Sequence, residues 1–265
     1  MLSKIFIIFI QVLLALDPGY AEAQTWIRAG YYIDGVGDFP ISGVNSSLFT
    51  HLFCGFADIN FTSYQLSFSL SEEKQFSSFT EVVKQKNPSV VTLLSIWGTS
   101  ANYSTFSLMV SDSSYRNSFI DLSIKIARLY GFQGLDLFWL SPTTSSDMLN
   151  AGVLFREWRV ATELEARNSS HSQLILTARL PWTNSAGNPV GSIQQYLNWV
   201  HVPAVGYWIP EETNFTSPHA ALYDPKSVNT DELIKAWIVN GLSANKLVLC
   251  LPYFGFACVE ITKNE

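Results

Sequence analysis

The chain is expected to fold as an α/β protein, a (β/α)8 TIM barrel short of one strand, and three observations lead there. Apolar, β-rich runs recur along its length, helical stripes separate most of them, and no Gly-x-Gly-x-x-Gly fingerprint follows any early run. The runs are Trp26 to Tyr32, Phe49 to Ala57, Val90 to Trp97, Phe132 to Trp139, Leu174 to Leu180, Trp199 to Tyr207 and Lys246 to Tyr253. They are nearly continuous rather than alternating, as parallel strands covered on both faces should be. Phe76, Phe79, Val82 and Val83 form one helical stripe; Phe119, Ile126 and Tyr130 contribute to a second, which Gly131 can close as its C′ residue. Met148, Phe155, Trp158, Ala161 and Leu164 mark a third stripe, and Leu233, Ile234, Trp237 and Ile238 a fourth, followed by Gly241. Seven strand candidates against a closing number of eight leave one missing.

Composition narrows the classes of function. With 48% hydrophobic and 14% charged residues in 265, the chain can bury a large core and is not intrinsically disordered. Sixteen Lys and Arg against 22 Asp and Glu, a net charge of -6, give no diffuse pull toward nucleic acid or an anionic membrane. Lys4, an apolar run from Ile5 to Leu16 and the small-x-small site Ala21-Glu22-Ala23 describe a removable secretory signal over residues 1–23. The run is too short to span a bilayer, so residues 24–265 are expected to be a soluble, secreted domain. Sequons at Asn45, Asn60, Asn102, Asn168 and Asn214 agree with export and glycosylation. Cys54, Cys250 and Cys258 allow at most one bridge, and Cys54 and Cys250 fall in predicted strands, where a small buried hydrophobe is the expected role. Neither the Cys nor the four His residues have metal-ligand spacing, and no cofactor or metal is expected.

The segment from Ser118 to Leu140, SFIDLSIKIARLYGFQGLDLFWL, resembles the fourth-strand region of glycoside hydrolase family 18, and more narrowly the plant class V chitinases. AGYYIDG, SSLFTHLFCGFADIN, NPSVVTLLSI, LNWVHVPA, PHAALYDP and ANKLVLCLPYFGFA extend the resemblance over essentially all of residues 24–265. The family carries Asp-x-x-Asp-x-Asp-x-Glu on its fourth strand, and the matching positions here are Gln133, Asp136, Phe138 and Leu140. The resemblance implies a substrate-assisted reaction in which the Glu protonates the glycosidic oxygen, the substrate acetamide attacks the anomeric carbon, and the adjacent Asp steadies the resulting cation. Leu140 has no proton to give and Phe138 no charge to offer, so no catalytic set is intact. The family's Met-x-Tyr-Asp on the sixth strand is Pro203-Ala204-Val205-Gly206 here, and its Ser-x-Gly-Gly on the third strand is Ser95-Ile96-Trp97-Gly98. Trp97 either fills space or offers a stacking face, and filling space is the preferred reading. Asp136 is expected to be hydrogen-bonded to polar neighbours such as Ser95. Arg179, replacing a small residue, either pairs with Asp136 across the interior or faces outward between helices.

In the family, the seventh strand leads into a small α+β insertion and an eighth strand bearing a Trp that floors the sugar site. Here LPYFGFA is followed by Cys258 and seven further residues, so the insertion and last strand are expected to be missing and the sheet edges unpaired. A complementing partner chain, a sequence fragment or a shortened splice product would each account for this. Three functional readings stay open: a chitinase, a noncatalytic binder of chitin or N-acetylglucosamine oligosaccharides, and a truncated product with no biochemical role. The second is preferred, with Tyr31, Phe56, Trp97, Tyr207 and Trp208 as candidate sugar-facing aromatics.

Overall fold

The computed structural model of the chain describes residues 26–33, 39–98, 103–140, 142, 144–180, 187–208 and 216–255. The secretory signal over 1–23, the sequons at Asn102 and Asn214, and Cys258 lie outside the described residues. Within them, seven parallel strands run in the order β1 (Ala29–Ile33), β2 (His51–Ile59), β4 (Val91–Gly98), β5 (Gly134–Trp139), β6 (Ile175–Arg179), β7 (Trp199–Pro203) and β8 (Leu247–Cys250). A two-residue strand, β3 (Leu66–Ser67), folds back antiparallel on β2. Among the described residues β1 pairs in parallel only with β2 and β8 only with β7, so the sheet is a curled, open half-barrel.

All seven predicted runs contain a strand, but three are shorter than expected. Trp26 is 78% exposed and precedes β1. The run into Tyr207 stops at Pro203, because Gly206 turns the chain at φ +83°. The last run stops at Cys250, ahead of Pro252, which cannot donate to the ladder.

Helices α1 (Leu70–Lys86), α2 (Tyr103–Ser111), α3 (Ser113–Leu129), α4 (Ser145–Ser169), α5 (Val190–Tyr196) and α6 (Thr230–Val239) cover the outer face. Phe76, Phe79 and Val83 of α1, Phe119 and Ile126 of α3, and Phe155 and Trp158 of α4 pack on Leu94, Ile96, Leu135, Leu137 and Trp139 of the sheet. Leu164 departs from its predicted stripe and is 55% exposed. Serine, aspartate and threonine caps start the helices: Ser69 and Glu72 close a capping box on α1, Asp112 caps α3, and Thr144 and Asp147 close a second box on α4. At the other end of α3 the chain reverses through Gly131 at φ +72°, where Gly131 N–H donates to the Arg128 carbonyl and Phe132 N–H to that of Ala127.

The period-two alternation of the strands stacks the interior in layers. Phe53, Leu93 and Trp199 form an apolar cluster with Val91, Ile175 and Val248 packed against it. Gly134 sits in register between Leu93 and Ile175; a Cβ there would meet Leu93 Cδ2 at 2.7 Å and the Ile175 carbonyl oxygen at 2.8 Å. One layer toward the strand C-termini comes Asp136, and one beyond it Phe138.

Candidate functional site

Asp136 is fully buried at the centre of β5. Register places it between Ser95 of β4 and Thr177 of β6, and both hydroxyls donate to it: Ser95 Oγ to Oδ2 at 2.7 Å and Thr177 Oγ1 to Oδ1 at 2.6 Å. From across the interior Tyr31 Oη donates to Oδ2 at 3.0 Å, while His201 Nε2 lies 3.5 Å from Oδ1. Burial by itself would raise the pKa of this carboxyl. The neighbouring His201 and the hydroxyls of Thr177 and Ser95 outweigh it and hold the pKa below the usual carboxylate value. Asp136 is therefore an anion near neutral pH, with its oxygens already engaged. Burial, followed by the charge of Asp136, pushes the Tyr31 phenol well above its ordinary value, so that proton stays in place.

Above this network the strands end in an aromatic group. Trp97 of β4 and Phe138 of β5 are in register and stack face to face, with ring centroids 5.1 Å apart and planes 6° from parallel. Phe56 leans on both, at 4.2 Å from Trp97 and 5.1 Å from Phe138, and Tyr31 meets Phe138 edge-on at 5.4 Å. Arg179, opposite Phe138 in the β5–β6 register, sets its guanidinium carbon 4.7 Å above the Phe138 ring. Both expectations for Arg179 are thus corrected. It points inward, because Thr177 two residues earlier does, but it makes no ion pair with Asp136, whose oxygens belong to Ser95, Thr177 and Tyr31.

The other singled-out residues are distributed less tightly. Tyr31, Phe56 and Trp97 converge around Phe138, whereas Tyr207 shares a 3.0 Å hydrogen bond with Thr230 Oγ1 at the start of α6 and Trp208 is buried at 8% exposure. Gln133 precedes β5, with its backbone N–H donating to the Thr92 carbonyl, and Leu140 follows it, with its N–H donating to the Gly98 carbonyl at 2.9 Å. Asn45 and Asn60 are exposed in turns, the latter accepting through Oδ1 from the N–H groups of Thr62 and Ser63; Asn168 is exposed in the last turn of α4. Cys54 is buried, its Sγ accepting from Gln75 Nε2 at 3.3 Å, and Cys250 is half-buried, where burial raises its pKa. Sequence reasoning missed His201 and Thr177. The signal that would have found them is the inward phase shared by Thr177 and Arg179 on β6 and by Trp199 and His201 on β7.

A curled parallel sheet with outer helices and a converging set of residues at the strand C-termini defines a scaffold of the (β/α)8-barrel class. The chain belongs to the glycosyl hydrolases family 18, whose model matches residues 26–264. A class V chitinase of Arabidopsis thaliana is 40% identical over 260 residues, an alignment covering 96% of this chain and 68% of the relative. Two solved structures superpose with a TM-score of 0.81. One is a class V chitinase mutant from Nicotiana tobaccum in complex with NAG4, 41% identical over 84% of this chain and 65% of that one. The other is a chitinase-like agglutinin from Robinia pseudoacacia, 39% identical over 84% of this chain and 69% of that one. The chain thus spans about two thirds of the length of these relatives.

Proposed function

We propose that this chain is a secreted chitinase-like protein that does not hydrolyse glycosidic bonds and binds N-acetylglucosamine oligosaccharides at the C-terminal ends of its strands. The observation that carries the reading is Phe138, which is committed to a stack with Trp97 and a cation contact with Arg179 at the position where the resemblance puts an assisting carboxylate. Hydrolysis needs a proton donor at the leaving oxygen, worth about 10²- to 10⁴-fold, and an anion near the positive intermediate, commonly worth more. Leu140 and Phe138 offer neither. Asp136 cannot substitute, because it is buried beneath the aromatic group and kept ionised by its partners.

Binding is supported by the half-buried rings of Phe56 and Trp97 at the strand ends, aromatic surface of the kind that packs on the apolar faces of a sugar. It is also supported by the NAG4 complex of one relative and by the description of another as an agglutinin. Titration calorimetry with tetra-N-acetylchitotetraose tests it: saturable heat is expected, weakened about tenfold by Trp97→Ala, and a flat titration would contradict binding. Export and glycosylation are tested on material secreted from a eukaryotic host. A mature N-terminus at Gln24 and a mass loss on N-glycosidase treatment are expected, and an intact Met1 would refute the signal.

A further inference from the structure

Arg179 is the only Arg or Lys in any strand of the described sheet. Its side chain is half-buried, and among the described residues it makes no ion pair or hydrogen bond; its guanidinium lies over the Phe138 ring. Burial lowers its pKa against the opposing pull of Cys250, Tyr31 and Asp136, yet a guanidinium keeps its proton, and among the described residues its N–H donors meet no acceptor. Asp136 does not use those donors, because hydroxyls from Ser95, Thr177 and Tyr31 already occupy its oxygens. Such a donor set, planar and oriented by an aromatic face, matches a carboxylate in a two-point contact. A single cation with no second Arg or Lys on the strands suits a monoanion better than a phosphate.

We propose that Arg179 makes the barrel mouth selective for a saccharide bearing a ring carboxylate over its neutral counterpart. The proposal rests on the binding reading above and names the ligand class of that same site. The aromatic rings would carry the sugar, and the guanidinium would receive the carboxylate.

The test compares two probes that differ only at C6: tetra-N-acetylchitotetraose and its C6-carboxylated form, titrated into the whole secreted chain by calorimetry. The carboxylated probe is expected to bind at least about tenfold more tightly, the size of one charge-assisted contact. That preference should shrink as salt is raised from about 20 to about 500 mM. Arg179→Gln should bring the ratio of the two affinities to about one, while Arg179→Lys, which keeps the charge and loses the fork, should retain part of it. Should Arg179→Gln fail to melt cooperatively, the salt dependence of the unaltered chain decides. Equal affinities for the two probes, or a preference indifferent to both salt and Arg179→Gln, would overturn the selectivity and leave the binding reading standing. Absence of binding by either probe would overturn both.

Discussion

At the residue scale, one buried carboxylate organises the interior. Asp136 accepts from three hydroxyls contributed by β1, β4 and β6 and faces His201 of β7, so it ties four strands together without any access to solvent. Asp136→Ala would leave those hydroxyls buried without an acceptor, at about 1–3 kcal/mol each before relaxation. Urea denaturation should therefore show a loss of about 3 kcal/mol or more, and an unchanged midpoint would refute the structural role. His51 gives a second, pH-dependent effect. Burial and the nearby His201 lower its pKa from 6.5 to about 4. Between those values the unfolded chain binds a proton that the folded ring refuses, so stability falls as pH drops from about 6.5 to about 4. The loss is on the order of 1–2 kcal/mol once solvent reaching the ring is allowed for. His51→Gln should flatten that limb of a stability-against-pH curve. The residue-level parts of the site were only partly legible in sequence. Ser95 was anticipated as a partner of Asp136, because the motif alignment put both on neighbouring strands. The direction of Arg179 was not legible, because in LILTARL the phase of Ile175, Thr177 and Arg179 is the more polar one, which on a strand with one wet face would point to solvent, whereas here it faces the interior.

Elements are where the sequence was most readable. Apolar runs long enough to cross a sheet located all seven parallel strands, and the closure of α3 at Gly131 followed from a single residue type. Strand β3 was missed because two residues carry no periodicity, and α2 because its 9 residues are too short a window for a helical period. Two substitutions test the element-level account. Gly134→Ala would drive a methyl into Leu93 and the Ile175 carbonyl oxygen, and backbone cannot step aside cheaply. A cost of about 1–3 kcal/mol is expected in thermal unfolding, whereas a neutral result would show that β5 and β6 can separate locally. Thr144→Ala removes one half of the capping box on α4 and should cost about 1 kcal/mol, with Thr144→Ser restoring most of it.

For the whole molecule, the open sheet predicts uneven protection. Strands β4 and β5 have hydrogen-bonded neighbours on both sides, while β8 has β7 alone among the described residues and holds no fully buried side chain. Hydrogen exchange should therefore be slowest in β4 and β5 and fastest among the strands in β8. Uniform protection would mean that the β8 edge is covered. The central claim concerns chemistry, since a family scaffold here carries an aromatic ring and an aliphatic side chain where the resemblance places a carboxylate and an acid. The most direct measurement incubates tetra-N-acetylchitotetraose with an equimolar amount of the purified chain and follows the products by mass spectrometry, which detects even one turnover per molecule. The tetrasaccharide should remain intact over hours; release of mono- or disaccharide at the rate of an active family member would contradict the account.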